Sequence, residues 1–328
     1  MRAVLYRGKG GPEVIVLADV PEPSYGTDDA LVAVAYAGLN RADLLERMGR
    51  YGPMPRDGEV IPGLEFAGTV RAVGTNVTNV RPGQRVCGLV QSGAHAALVV
   101  ANGLTLAAVP DGVELVEAAA IPEAFLTADD ALFARGNLRL GERVLVHAAG
   151  SSVGLAALSL AKRAGAFTLG TSRTPHKLEG AHDFGMDTGV EMSEGWPERV
   201  RAACDGQGVD LVLDFIGAPA LAGNIAVLAN GGRIVSIGTL GGASAKLELG
   251  ALMFKRATLI GTVLRTRPLE ERIALARLLE RRLLPLFAAG ELHAEVDTVF
   301  PLDQIAEAHR AMESNDNFGK IVLAVGGP

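Results

Sequence analysis

The pattern of apolar and polar positions changes once along the chain, near Ile121 and Pro122. Before that point apolar residues come in short, β-branched-rich runs bounded by Gly and Pro, as in ALVAVAYAGL, GLEFAGTVRAVG and RVCGLV. Such runs predict strands closed by turns. The N-terminal MRAVLYRGKGGPEVIVL alternates in the same way, and RADLLERM (41–48) carries the main helical spacing. Residues 1–122 are therefore expected to form a mostly β domain.

After that point strand-length and helix-length runs alternate. VLVHA (144–148) predicts a buried strand, and VGLAALSLAKRAG (153–165) a helix closed by Gly. FTLGTS (167–172) reads as a second strand, and PHKLEGAHDF opens with Pro175 at a favourable first-turn position. DLVLDFIG (210–217), RIVSIGTL (233–240) and ATLIGTVL (257–264) read as further strands, with a helix over ALAGNIAVLAN. This alternation predicts an α/β, doubly wound parallel sheet covered on both faces, over 123–264. The tail, 265–328, holds an amphipathic helix over LEERIALARLLERRLLPLFAAGEL, a helix over QIAEAHRAME and a closing strand, KIVLAV. It is expected to return to the first domain.

Composition narrows the function classes. The 328 residues are enough for two domains with sizeable cores. A net charge of −6 with no basic stripe argues against a nucleic-acid surface. No apolar run approaches the roughly 20 residues that span a bilayer, and the N-terminus lacks a signal-peptide core. The two cysteines, Cys87 and Cys204, offer no disulfide framework. A soluble, cytoplasmic protein is expected.

The densest local signal is VLVHAAGSSVGLAALSLAKRAGA. A buried strand ends, a turn of small residues follows from Ala148 to Gly154, and a helix begins. Backbone N–H groups at a helix start can hold a pyrophosphate if small side chains let it approach. The usual G-x-G-x-x-G positions are occupied here by Ala149, Ser151 and Gly154, with Gly150, Ser152 and Val153 between them. The next strand should end near the adenosine ribose, where an NAD site would place Asp or Glu. No carboxylate lies between Ala166 and Lys177; the stretch instead offers Ser172, Arg173 and Lys177. These can bond and neutralise a 2′-phosphate. One charge-assisted contact, about 1.5–3 kcal/mol, is worth roughly one to two decades of preference for NADPH.

Together with AGLNRADLLERMGRY (37–51), IPGLEFAGTVRAVG (61–74), GGRIVSIGTLGG (231–242) and NFGKIVL (317–323), this turn resembles the zinc-independent, zeta-crystallin-like quinone oxidoreductases of the medium-chain dehydrogenase/reductase superfamily. LMFKRATLIGTVLRTR (252–267) is especially similar to the subgroup typified by the tumour-suppressor-inducible quinone oxidoreductase. The resemblance covers essentially the whole chain. It implies a GroES-like catalytic domain (1–122 completed by 265–328), a Rossmann NADPH-binding domain (123–264), a cleft between them and a homodimer through the Rossmann sheets. It also implies an NADPH-dependent, metal-free reductase of a small-molecule quinone.

The zinc-dependent members of that superfamily carry a Cys in the region of AGLNRAD and a His in the segment matching PGLEFAG. Here the first has no Cys, and Leu64 precedes Glu65 in the second. A catalytic zinc needs about three protein ligands, so no metal ligand is assigned and alcohol oxidation is the less favoured chemistry.

The resemblance places Asn40 and Tyr51 at the quinone as hydrogen-bond donors, although Asn40 is equally a good N-cap and Tyr51 a turn aromatic. It makes Asp43 a capping or ion-pairing residue. Thr127 resembles a residue near the nicotinamide carboxamide and is equally a helix Thr bonding back to its own turn. Lys320 resembles a closing Lys near the cofactor and is equally a surface charge. Phe215, Gly217, Gly238, Thr239, Leu240 and Leu264 are expected at the cofactor because they follow strand ends on the carboxyl side of the sheet. Met192 stands nearest to a Tyr that packs on adenosine in many relatives. The alternative chemistry is reduction of an activated C=C bond in a 2-alkenal or enoyl thioester. An acyl-carrier substrate would favour a basic entrance, and residues 40 to 60 carry no strong basic cluster beyond Arg41, Arg47, Arg50 and Arg56, which keep that alternative open. A non-catalytic NADPH- or RNA-binding role is the third reading, and the lack of aromatics beside basic residues counts against RNA.

Overall fold

The computed structural model describes residues 1–51 and 60–326. These pack as two units, Met1–Glu123 with Arg265–Pro328, and Ala124–Leu264.

The first unit begins with a two-stranded antiparallel ribbon, β1 (Arg2–Tyr6) and β2 (Ile15–Asp19). The long β3 (Asp29–Leu39) follows, then α1 (Arg41–Arg47), β4 (Glu65–Val73), β5 (Arg85–Leu89), β6 (Leu98–Asn102) and β7 (Leu106–Ala108). The short helix α2 (Leu115–Ala118) closes this stretch, and α3 (Pro122–Asp129) begins at the end of the first unit and continues in the second. Strand alternation decides which side chains go inside. Val32, Val34, Phe66, Val70, Val86 and Leu106 are buried in one cluster, because successive residues of a strand face opposite sides.

The second unit is a six-stranded, wholly parallel sheet: β8 (Arg143–Val146), β9 (Phe167–Ser172), β10 (Thr188–Glu191), β11 (Val209–Asp214), β12 (Leu228–Ser236) and β13 (Thr258–Gly261). Its spatial order is β10-β9-β8-β11-β12-β13. The connecting helices are α4 (Ser152–Arg163), α5 (Pro175–Ala181), α6 (Trp196–Ala203), α7 (Leu221–Val227) and α8 (Leu249–Lys255). The order reverses at β8, and ligands of such sheets bind beyond the carboxyl ends of the strands at that point.

The chain then returns to the first unit. α9 (Leu269–Leu278), a π-helical turn (Leu279–Leu283) and α10 (Leu284–Ala288) replace the single long helix expected from periodicity. The break sits just before Pro285, whose ring cannot continue an α-helical ladder. β14 (Val296–Pro301), α11 (Ile305–Ser314) and β15 (Lys320–Ala324) follow. β15 pairs antiparallel with β3 and completes a seven-stranded sheet. Among the described residues no helix is long and apolar enough to cross a membrane.

Candidate active site

The dinucleotide turn is built from backbone geometry. β8 ends at Val146, and Ala148 takes a left-handed conformation with φ 48°. Such a φ is unusual for a residue with a Cβ, and neighbouring bonds hold it. Ala149 N–H donates to Thr171 O at 2.9 Å, and Ser151 N–H donates to Ala148 O at 2.9 Å. Ser151 is the N-cap of α4, and its Oγ accepts from Gly154 N–H at 3.1 Å. A Cβ on Gly154 would lie 2.4 Å from Ala148 O and 2.8 Å from Ala149 O. That position must be Gly, for the helix to pack this close to the turn. The first amides of α4, at Ser152 and Val153, have no carbonyl one turn earlier in the helix and are free to face an anion.

Beneath the turn His147 is fully buried. Its Nε2 meets Asn224 Oδ1 at 2.6 Å and its Nδ1 meets Thr171 Oγ1 at 2.7 Å. Burial holds its pKa below the usual value, so the neutral ring ties β8 to β9 and α7.

At the end of β9, Ser172 Oγ accepts from Thr174 N–H at 3.1 Å. Arg173 is exposed, and Lys177 is buried on α5. A Cβ on Gly150 would stand 2.9 Å from Lys177 Cβ and 3.0 Å from its Cδ. The aliphatic stem of Lys177 therefore packs against Gly150 of the dinucleotide turn. Met192 N–H donates to Ser172 O at 2.8 Å, and its side chain packs on the apolar core around Trp196. β10 also brings Glu191 into register with Ser172, a carboxylate that a reading of β9 alone does not reveal.

The loops after β11 and β12 fold onto each other. Asp214 Oδ1 accepts from Ile216 N–H at 2.8 Å and from Gly217 N–H at 3.0 Å, with Gly217 at φ 81°. Leu240 N–H donates to Phe215 O at 3.2 Å, and a Cβ on Gly238 would lie 3.1 Å from that same oxygen. Thr239 Cα lies 3.0 Å from where a Gly217 Cβ would stand. Phe215, Gly217, Gly238, Thr239 and Leu240 thus form one group beyond the carboxyl ends of β11 and β12. Thr127 on α3 and Leu264 after β13 are buried.

In the first unit Asn40 caps α1 with extended backbone, φ −122° and ψ 152°. Asp43 Oδ2 accepts from its backbone N–H at 2.7 Å. The Asn40 amide is held elsewhere: Nδ2 donates to Glu65 Oε1 at 2.9 Å, and Oδ1 accepts from Lys320 Nζ at 2.7 Å. Lys320 and Glu65 form a fully buried ion pair. Glu65 Oε2 accepts from Glu123 N–H at 2.8 Å, at the start of α3. Burial pushes both Asp43 and Glu123 up to about 7, with the Glu65 carboxylate adding to the shift at each. The Arg265 guanidinium lies 5.3 Å from the centroid of the Tyr51 ring. It is fixed by Glu46 Oε1 at 2.8 Å and by Gln91 O at 2.8 Å. Burial, and then Glu123, hold the Tyr51 phenol above its usual pKa, so it keeps its proton and can donate.

The family follows from comparison. The model of the alcohol dehydrogenase GroES-like domain matches residues 26–125, and that of the zinc-binding dehydrogenase matches 152–281. A solved NAD-dependent alcohol dehydrogenase is 32% identical, with a TM-score of 0.89, over 99% of this chain and 100% of its own. The chain belongs to the medium-chain dehydrogenase/reductase superfamily. It is an oxidoreductase of that superfamily, with a GroES-like domain and a Rossmann domain. An Escherichia coli quinone oxidoreductase solved with NADPH is 27% identical, with a TM-score of 0.91, over 99% of this chain and 100% of its own. The phthioceranic/hydroxyphthioceranic acid synthase of Mycobacterium tuberculosis is 33% identical over 330 residues, or 97% of this chain. This chain spans only 15% of that synthase's length.

Within this superfamily fold the zinc chemistry named by one matching model does not fit the residues present. Among the described residues no group of three or more His, Cys, Asp or Glu could hold a metal ion. The buried Glu65 carboxylate already has a cation, the Lys320 ammonium.

Two of the candidate residues have their charged groups bonded within the first unit. Lys320, expected at the cofactor, is 1% exposed and directs its ammonium at Glu65 and Asn40 within the first unit. Arg47, one of the four arginines that kept the C=C reading open, is fully buried and pairs with Glu313, Gly10 O and His309. Arg41 is tied to Asn315 Oδ1 at 2.7 Å, Arg50 is exposed, and Arg56 lies outside the described residues. Glu65, Glu123 and Arg265 did not emerge from sequence reasoning. Their one signal was a lone carboxylate inside the apolar run GLEFAG, which demands a buried partner.

Proposed function

We propose that the chain is an NADPH-dependent, metal-independent quinone reductase. The observation that carries the cofactor half is the approach of the Lys177 stem to Gly150 of the dinucleotide turn, with Ser172 and the exposed Arg173 at the end of the next strand. Ser152 and Val153 amides would hold the pyrophosphate, and Arg173 and Lys177 the 2′-phosphate. The group of Phe215, Gly217, Gly238, Thr239 and Leu240 would line the nicotinamide side, with Thr127 and Leu264. Bound NADPH supplies the hydride. The E. coli quinone oxidoreductase solved with NADPH supports this reading.

The acceptor half rests on Asn40 and Tyr51. Both present N–H or O–H donors, which suit a carbonyl oxygen gaining negative charge. A second reading, reduction of an activated C=C bond, is supported by the likeness to a segment of the mycobacterial acid synthase. An enone oxygen would use the same two donors. The two readings separate in a turnover assay with NADPH against ortho- and para-quinones and a 2-alkenal. Quinone turnover supports the first. Alkenal turnover without quinone turnover replaces it with the second.

We extend the proposal to a homodimer through the Rossmann domain. β13 is an edge strand, and Leu249, Met253, Phe254, Leu259 and Val263 around it are all more than 40% exposed. An edge strand with several exposed apolar side chains near it is the condition that a second copy relieves.

A further inference from the structure

We infer that the buried Glu65–Lys320 pair is a positioning device that fixes the orientation of the Asn40 amide, and so restricts Asn40 to donating a hydrogen bond to the acceptor. This rests on the reading that Asn40 faces the acceptor.

An ammonium only donates, and a carboxylate only accepts. Lys320 Nζ lies 2.7 Å from one end of the amide, and Glu65 Oε1 lies 2.9 Å from the other. A flipped amide would set N–H against N–H at Lys320 and oxygen against oxygen at Glu65. The orientation is therefore dictated by charge on both sides. Asn40 Oδ1 is occupied by a cation, and one Nδ2 hydrogen by an anion. The second Nδ2 hydrogen remains for a ligand. The atom it recognises must be an acceptor, as a carbonyl oxygen is.

The device is also rigid. Glu65 is fully buried, and its Oε2 is pinned by the Glu123 N–H at 2.8 Å. Lys320 is anchored by β15, which pairs with β3, the strand that leads into Asn40. A Cβ on Gly38 would lie 2.6 Å from Glu65 Cδ and 2.7 Å from Lys320 Cε. Glycine there makes room for both side chains to meet beside Asn40. An isolated buried charge would be expensive and a pair is tolerated only when fully bonded. Here the bonds close a ring of three side chains.

The test is a double-mutant cycle on kcat/KM for a para-quinone with NADPH, using Asn40→Ala, Glu65→Gln and the double variant. The dissociation constant of NADPH and the thermal midpoint are read on each protein. Positioning predicts that Glu65→Gln lowers kcat/KM about tenfold in the native background and less than twofold when Asn40 is already Ala. NADPH affinity should stay within about twofold. Glu65→Asp keeps the charge and displaces the carboxylate by one methylene. It should give the same non-additive loss, and it serves if Glu65→Gln does not fold. An equal tenfold loss in both backgrounds would overturn the inference and leave Glu65 a structural residue. If Asn40→Ala itself leaves quinone turnover intact, the reading of Asn40 at the acceptor fails instead.

Discussion

Lys320 and Asn40 stand 280 residues apart in the chain, yet the ammonium of one lies 2.7 Å from the amide oxygen of the other. The antiparallel pairing of β15 with β3 makes this contact, setting Ile321 opposite Leu39. A buried cation and a buried carboxylate thus meet at the residue expected to face the acceptor. Lys320→Met should destabilise the protein by about 3–5 kcal/mol, because it leaves Glu65 uncompensated. The double replacement Glu65→Leu with Lys320→Met should recover most of that loss. Urea unfolding of the three proteins checks this; equal losses in the single and double variants would count against it.

The close approach at Gly154 gives a second prediction. A methyl group there meets two carbonyl oxygens, at 2.4 and 2.8 Å. Gly154→Ala must push α4 away from the turn, at a cost of about 1–3 kcal/mol. NADPH binding, followed by nucleotide fluorescence, should weaken at least tenfold. Unchanged affinity would show that the amides of this turn do not hold the pyrophosphate.

Much of the fold was legible because the second unit repeats one local grammar. FTLGTS was expected as a strand and forms β9 with those bounds, since Pro175 and the small turn residues isolate it. The turn at Ala148–Gly154 was legible for the same reason. β10 and α6 were not read: the strand has four residues, and Trp196-Pro197 begins a helix with a mostly polar surface. The charged ring around Asn40 was beyond local reading. Its members are separated by 25 and 280 positions, and only tertiary pairing brings them together.

Buried histidines set a pH dependence. Burial pulls His95 down to about 4 and His309 to about 2. Arg47 Nη1 lies 3.2 Å from His309 Nδ1 and can only donate, so that nitrogen accepts and the ring is neutral with hydrogen on Nε2. A folded pKa below the unfolded value of about 6.5 gives stability that is present above that pH and lost as pH falls. Asp43 and Glu123, raised to about 7, act with the opposite sign between about pH 4 and 7. The difference between native protein and His309→Gln isolates one histidine. Their gap in unfolding free energy should shrink by about 1.4 kcal/mol per pH unit below pH 6.5. A constant gap from pH 8 to 4.5 would show that His309 does not titrate on unfolding.

The apolar edge of the Rossmann domain gives an assembly prediction. Phe254 is 88% exposed and Met253 74%. Light scattering after gel filtration should give twice the chain mass of 34.0 kDa. Phe254→Asp should shift the protein toward monomer with its NADPH affinity retained. A native monomer at micromolar concentration would remove the dimer from the proposal.

Arg173 and Lys177, beside the Ala148–Gly154 turn, are proposed to select NADPH over NADH as the reductant. The most direct measurement is kcat/KM for NADPH and for NADH with one para-quinone, in native protein and in Arg173→Ala. Native protein should prefer NADPH at least tenfold, and Arg173→Ala should lower that preference by roughly one to two decades. Equal use of NADH, or a preference untouched by Arg173→Ala, would contradict it.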